Sequence, residues 1–307
     1  MGYNGSMAGG AIAVRSCPSP ASATVRDYIE LTKPRITWLI LMSTAIGFFF
    51  GAREGWAWLA FLHTIIGTGL IASGTAALNQ WYERDADARM NRTRQRPIPS
   101  GRVSPAKACW FAVGLSVLGF VELWLGANLL TALLGAFTLL TYLFVYTPLK
   151  QKSWHATTIG AIPGAMPPMI GFAGASGHLT AEAWVLFAIL FLWQFPHFYA
   201  IAWMYREDYS RAGIKMLPVI EPDGDSTIRQ ILGTSVLLIP ISLLPIWLGM
   251  SGYWYLLGAL LLGMAYVYSA IQAGRERTRS RVRGVLLASV VYLPILYVLM
   301  MADRTHL

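Results

Sequence analysis

Apolar runs of membrane-spanning length recur nine times along this chain, at about residues 34–52, 57–80, 106–126, 127–146, 155–175, 182–204, 229–249, 252–273 and 283–301. Roughly 20 apolar residues carry a helix across the hydrocarbon core of a bilayer. Backbone exposed to lipid must satisfy its own hydrogen bonds. The runs therefore predict an all-α integral membrane protein, a bundle of nine transmembrane helices. Composition agrees, because only 13% of the 307 residues are charged, against about 25% in a soluble domain. Residues 1–25, rich in Gly, Ala and Ser, read as a disordered cytoplasmic tail. Residues 26–302 read as a single membrane-embedded domain and 303–307 as a short extracytoplasmic tail. Cys17 and Cys109 have no metal-ligand spacing and are too few for a disulfide framework.

Basic residues set the orientation of such a bundle, since cytoplasmic loops carry the excess of Lys and Arg. With the N-terminus inside, 22 of the 24 basic residues fall on the cytoplasmic side and only Arg53 and Arg304 fall outside. The formal net charge of +9 is then mostly topological, and no nucleic-acid partner is needed to explain it.

The segment NQWYERDADARMNRTRQRP, Asn79 to Pro97, follows the second run and packs three acids and five arginines into the membrane boundary. Asn79, Glu83 and Asp87 are spaced i, i+4, i+8, which turns each only about 40° from the last around a helix. One amide and two carboxylates on one face suit a hard divalent cation such as Mg²⁺, which takes oxygen ligands and shares them with substrate phosphates. The arginines that follow, Arg92 and Arg96 among them, suit phosphate oxygens. Taken alone, the arginines read as a solvated cytoplasmic loop that fixes topology. The acids and the amide together favour a functional site.

Two more constellations end inward-pointing spans. In WQFPHFYAIAWMYREDYSRAGIKMLPV, Trp193 to Val219, His197 and Asp208 share a face, about 16 Å apart on a continuous helix. A carboxylate at the membrane edge with an imidazole deeper in suits a ligand with a charged head and an apolar body. A hydrogen-bonded bundle histidine is the plain alternative. In VYTPLKQK, Tyr146 and Lys150 are spaced i, i+4; Lys150 reads either as a phosphate contact or as an interfacial anchor. Glu122, four residues from the outer end of its run, reads as reaching the outer interface. All three charged constellations converge on one face, where a lipid-like substrate keeps its tail in the bilayer and its anionic head at a metal.

These segments resemble the UbiA-type intramembrane prenyltransferases. Asn79, Glu83 and Asp87 occupy the metal positions of that family's first acidic motif. LTKPRIT, GAIPGAMPPMIGF, WQFPHFYAIAW and DYSRAGIKMLPV are similar to its protohaem-farnesylating branch over about residues 27–300. In the broader family the second motif carries two aspartates, and here Tyr205 and Tyr209 stand at those positions. The resemblance implies Mg²⁺ as cofactor and farnesyl diphosphate and protohaem IX as substrates, with a farnesyl group passing to a haem vinyl and water completing the addition. It implies Asn79, Glu83, Asp87 and Asp208 as catalytic residues, the first three as metal ligands. Arg92, Arg96, Tyr146, Lys150, His197 and Lys215 are the implied substrate-binding residues, with His197 the candidate contact to haem iron and His63 its competitor. It also implies haem A synthase as receiver of the product. The absence of an Arg-rich, acid-poor amphipathic leader favours a bacterial plasma membrane over a mitochondrial inner membrane. The alternatives are the same chemistry on an aromatic quinone precursor, and a multi-span transporter.

Overall fold

The computed structural model describes residues 23–52 and 55–305. Most of the expected N-terminal tail lies outside the described residues. A short α1 (Val25–Leu31) precedes α2 (Pro34–Gly51), α3 (Trp58–Tyr82) and the short α4 (Arg84–Arg89). Next come α5 (Pro105–Gly126) and α6 (Leu129–Leu140), which runs on through a π-helical turn (Thr141–Tyr146) into α7 (Thr147–Leu149). Two short helices, α8 (Ala156–Gly164) and α9 (Pro167–Ser176), lead to α10 (Ala181–Met204), α11 (Arg206–Arg211) and α12 (Leu217–Ile220). The long helices α13 (Asp225–Trp247), α14 (Tyr253–Arg275) and α15 (Arg279–Ala302) complete the chain.

The bundle is all-helical among the described residues, and eight of its helical runs are long and apolar enough to cross a membrane. The expected fifth span is two helices instead of one, broken at Ala165–Met166 ahead of Pro167 and Pro168. Proline lacks an amide hydrogen and its ring clashes with the preceding turn, so α9 starts afresh with proline at its first position. Local caps set other boundaries. The Ser104 hydroxyl accepts from the Lys107 amide to start α5, and the Asn128 carboxamide accepts from the Thr131 amide at 2.9 Å to start α6.

The outer surface carries large apolar side chains in the open, with Trp110 77% and Trp247 86% exposed. Such a surface suits hydrocarbon and not water. Inside, small residues let helix axes approach closely, the usual device where lipid removes the hydrophobic drive for helix pairing. α2 lies along α9, and α3 along α5. A Cβ on Gly171 would stand 1.8 Å from the Thr44 carbonyl oxygen, and one on Gly47 would stand 1.9 Å from that of Pro168. The largest apolar core gathers α10, α13, α14 and α15 around Tyr199, Tyr255, Tyr266 and Tyr292.

Replacing Gly171 with alanine is expected to lower the thermal unfolding midpoint in detergent, because overpacking costs typically about 1–3 kcal/mol. Gly114→Ala, where nothing lies within 4 Å of an added Cβ, leaves the midpoint unchanged. Equal behaviour of the two variants would remove the close α2–α9 approach as a constraint on the fold.

Candidate functional site

At the charged end of the bundle α3 stops at Tyr82, and Glu83, at φ −89° and ψ 9°, joins it to α4. The break is slight. The Glu83 amide still donates to the Asn79 carbonyl at 2.9 Å and the Asp87 amide to the Glu83 carbonyl at 2.8 Å. Asn79, Glu83 and Asp87 thus keep the common face that their spacing predicts. Asn79 is 2% exposed and Asp87 fully buried, so their polar atoms depend on protein partners.

Three cations supply those partners, two of them from distant parts of the chain. Lys150 Nζ donates to Glu83 Oε1 at 2.8 Å, with both side chains about one-tenth exposed. Arg96 donates to Asp87 Oδ2 at 2.6 Å. Lys33 Nζ donates to Asn79 Oδ1 at 3.2 Å, and the Asn79 amide nitrogen donates on to Glu83 Oε2 at 3.0 Å. Burial pushes the Glu83 carboxyl up, but the charges of Lys150 and Lys33 and the hydrogen bonds from Lys150 and Asn79 hold it below the usual carboxylate range. Burial likewise pushes the Lys150 ammonium down, and its acid partner outweighs it and raises it well above the ordinary lysine value. For Lys33, burial and the neighbouring charges of Arg96 and Lys150 win over Glu83 and Asp87 and bring the ammonium down to about 7.

By sequence Lys33 is one of the basic residues that set topology, and the structure adds it to the site. Its backbone explains its reach. At φ 49° it is the one non-glycine residue with positive φ among the described residues. That conformation is uncommon for a side chain like lysine and tends to persist at functional sites. A lysine followed by proline at the start of a span was the available signal, since proline disfavours helical backbone in the residue before it.

The π-helical turn performs a similar service. It brings Tyr142, Tyr146 and Lys150 to the same side, with Lys150 Nζ 4.3 Å from the Tyr146 ring centroid and 5.8 Å from that of Tyr142. Single π turns in α-helices are frequent at functional sites. The Lys215 side chain is exposed, and what this residue offers is its backbone amide, which donates to the Lys150 carbonyl at 2.8 Å.

The continuous helix expected from His197 to Asp208 does not form. α10 ends at Met204, and Tyr205, at φ −115° and ψ 21°, turns the chain into α11. Asp208 accepts from the Asn91 amide at 3.3 Å and pairs with Arg211. It pins the arginine-bearing loop to α11, and no described hydrogen bond joins it to Asn79, Glu83 or Asp87. Beside it Arg92 donates to the Tyr209 hydroxyl at 2.7 Å and lies over the rings of Tyr205 and Tyr209, about 5 Å from each centroid.

One cavity runs inward from this end, and a second lies beside it. The first, of about 140 Å³, starts at Lys33 and passes Tyr142, Thr75 and Thr68 to Ile170 between α3, α6 and α9. The other, of about 230 Å³, lies between α2, α10 and α15 and is lined by Leu39, Trp193, Gln194, His197, Leu293 and Tyr297, among others. Ile36, Ile40, Gly164 and Pro167 border both. Gly164 makes this common wall thin, because a Cβ there would stand 2.0 Å from Gln194 Oε1.

The other described histidines are occupied elsewhere. His63 pairs with Glu122 at 2.8 Å, about 24 Å along α3 from Asn79, which also gives Glu122 a partner inside the bundle. His155 stacks on Trp154, and His178 binds the Ser176 carbonyl.

No group of three His, Cys, Asp or Glu side chains forms a metal cluster among the described residues. The acidic face offers two carboxylates and an amide, and Asp87 Oδ1 is buried there without a hydrogen-bond partner. Oxygen donors with an open position and cations alongside fit a hard divalent ion that completes its shell with phosphate and water.

The sequence pattern of the UbiA prenyltransferase family matches residues 40–300. The protohaem IX farnesyltransferase of Solibacter usitatus is 65% identical over 292 residues, covering 92% of this chain and all of that one. The protein of the same name from Koribacter versatilis is 46% identical, over 94% of this chain and 96% of its own. Among solved structures, a digeranylgeranylglyceryl phosphate synthase superposes with a TM-score of 0.76 at 19% identity, covering 91% of this chain and 97% of that one. A UbiA homologue from Archaeoglobus fulgidus bound to GPP and Mg²⁺ superposes with a TM-score of 0.66 at 16% identity, over 89% of this chain and 99% of its own. At these identities the structures are similar in fold.

The Glu83–Lys150 pair yields a stability prediction. Glu83→Gln or Lys150→Met alone leaves one charge buried without its partner, at a cost of about 3 kcal/mol or more. The double variant recovers a large part of that loss. A double-mutant cycle on thermal unfolding in detergent checks it, and additive losses would count against a coupled buried pair.

Proposed function

Because this chain belongs to the UbiA prenyltransferase family, we propose that it transfers the farnesyl group of farnesyl diphosphate to a vinyl group of protohaem IX, with addition of water. The observation that carries this reading is a charged, oxygen-rich head site that meets, at Lys33, an apolar cavity sharing residues of its wall with a second one. A prenyl diphosphate matches the first half of that shape, with its anionic head at Lys33 and its tail along the cavity toward Ile170. The acceptor lies in the second cavity, whose thin wall brings it against the allylic carbon. The names of the closely similar bacterial proteins support protohaem as that acceptor.

Asn79, Glu83 and Asp87 would hold Mg²⁺. When bound, the ion supplies charge neutralisation at the diphosphate leaving group. Lys33, Arg96 and Lys150 already surround these acids, and in the loaded site they turn to phosphate oxygens. Their fixed charges meet the negative charge that develops as the C–O bond breaks. The bonding pair leaves with diphosphate. The vinyl π electrons then close on the allylic carbon, water adds to the new cation, and a proton departs. The apolar walls keep water from the first cation. Arg92, held between Tyr205 and Tyr209, adds a fixed positive charge at the rim, where a second metal ion would otherwise need acidic ligands. Asp208 keeps this rim in place, and the Lys215 amide keeps Lys150 at Glu83. The membrane is a bacterial plasma membrane with the charged end inside, in keeping with the distribution of basic residues and the bacterial relatives. The product passes to a haem-oxidising membrane enzyme, haem A synthase.

The reaction is tested by incubating the purified chain in nanodiscs with protohaem, farnesyl diphosphate and Mg²⁺, then weighing the extracted haems. The expected product gains one farnesyl and one hydroxyl group and vanishes with EDTA. Glu83→Gln and Asp87→Asn lower the rate by roughly 10² to 10³, the scale of losing one pre-aimed electrostatic group. Lys33→Met lowers it by a similar factor. Prenylation of an aromatic acid, with no haem product, would keep the chemistry and overturn the acceptor.

A further inference from the structure

The reaction makes two opposite demands on water. None can reach the allylic cation, or the donor is simply hydrolysed. One molecule must reach the second cation, on the acceptor, to supply its hydroxyl. The donor and acceptor cavities meet at Gly164 and Pro167, which border both. Gln194 stands at that wall. It lies on α10, about 15 Å in from the helix end at Met204, and lines the acceptor cavity but not the donor cavity.

Its side-chain amide is fixed. Nε2 donates to the Ala161 carbonyl, in the last turn of α8, and to the Leu190 carbonyl one turn back on α10, both at 3.1 Å. Two carbonyl oxygens only accept, so the atom between them is the nitrogen and Oε1 takes the other side. Gln194 is 3% exposed, and no described hydrogen bond reaches Oε1. Glycine at 164 leaves this oxygen its room, since a Cβ there would stand 2.0 Å from it. The nitrogen accounts for the join between α8 and α10. The oxygen is left over, a desolvated acceptor where two apolar cavities meet, at a depth where polar groups are costly to keep. A buried water needs two to four polar partners. Oε1 is one, and Ser43 and Tyr297 add hydroxyl-bearing side chains to the same lining.

We propose that Gln194 is a catalytic residue for the hydration half of the reaction: Oε1 accepts a hydrogen bond from the water that adds to the acceptor cation, and holds that water on the acceptor side of the wall. This rests on protohaem as acceptor and goes beyond it. Coupling takes the vinyl π pair to the allylic carbon and leaves the ring-side vinyl carbon positive. The held water keeps a lone pair for that carbon. The new C–O bond forms from this pair, one water proton leaves, and the diphosphate released in the same turnover takes it up. Without a held water the same cation loses a proton from the neighbouring carbon, and the C–H pair becomes the double bond of an alkene. Gln194 therefore sets the fate of the second cation, not the rate of forming the first.

The nanodisc assay with protohaem, farnesyl diphosphate and Mg²⁺ is read by mass spectrometry of haems extracted without acid, which would itself remove water. The unaltered chain is expected to give the hydroxylated product with little alkene, one water lighter. Gln194→Leu lowers the ratio of hydroxylated product to alkene at least about tenfold, the scale of one lost hydrogen bond. Gln194→Glu keeps an acceptor oxygen and restores the ratio. Because the ratio is taken within the coupled product, it does not depend on how much of a variant folds. Gly164→Ala, whose Cβ displaces Oε1, shifts the ratio the same way and serves as the test should Gln194→Leu not fold. A normal ratio in either variant overturns the proposal, whatever the rate. Loss of all coupled product in Gln194→Leu, with farnesol released while farnesyl diphosphate still binds, also overturns it, since the residue then guards the first cation. If the unaltered chain makes no farnesylated haem, the acceptor assignment fails instead.

Discussion

Hydrocarbon gives a backbone amide nothing to bond to, and that constraint decides where this chain is regular and where it is not. Most lipid-facing stretches are plain α-helix. Irregular backbone occurs where protein, a cavity or the charged end of the bundle takes over from lipid. The break at Ala165–Met166 borders residues that line both cavities. The π turn delivers Tyr142, Tyr146 and Lys150 to the acidic face. Small breaks at Glu83 and Tyr205 end the two long helices from which the charged rim is built.

The second determinant is charge balance in a poorly solvated place. Asn79, Glu83 and Asp87 tolerate burial because Lys33, Arg96 and Lys150 are brought to them. The opposed directions of Glu83, held low, and Lys150, held high, are two views of one interaction. At Lys33 burial outweighs the nearby acids and brings the ammonium down to about 7.

The two cavities differ in kind. The one that begins at Lys33 has a charged mouth and suits a molecule with one anionic end. The one at His197 is broader and bordered by α2 and α15 side chains that face outward, such as Leu39 and Val290. Glycine at position 164 keeps the wall between them thin. Two apolar reactants can be held separately and still meet there, a matter of orientation more than of chemical activation.

Much of this was legible in the residues. Run length and hydropathy determine a helical membrane bundle, because the bilayer demands it of any such sequence. The i, i+4, i+8 spacing determines the common face of Asn79, Glu83 and Asp87, since helical periodicity survives the slight break at Glu83. What the sequence left undecided depends on contacts between distant segments. Lys33 meets Asn79 across 46 positions, Lys150 meets Glu83 across 67, and His197 meets Ser289 across 92. No local pattern encodes such pairings. The end of α10 at Met204 likewise follows from how the helices pack, whereas Pro34 and Pro167 mark the breaks at Lys33 and Met166 in the sequence itself. Periodicity extends a helix through Asp208; the tertiary structure stops it and gives that carboxylate the loop at Asn91 to hold.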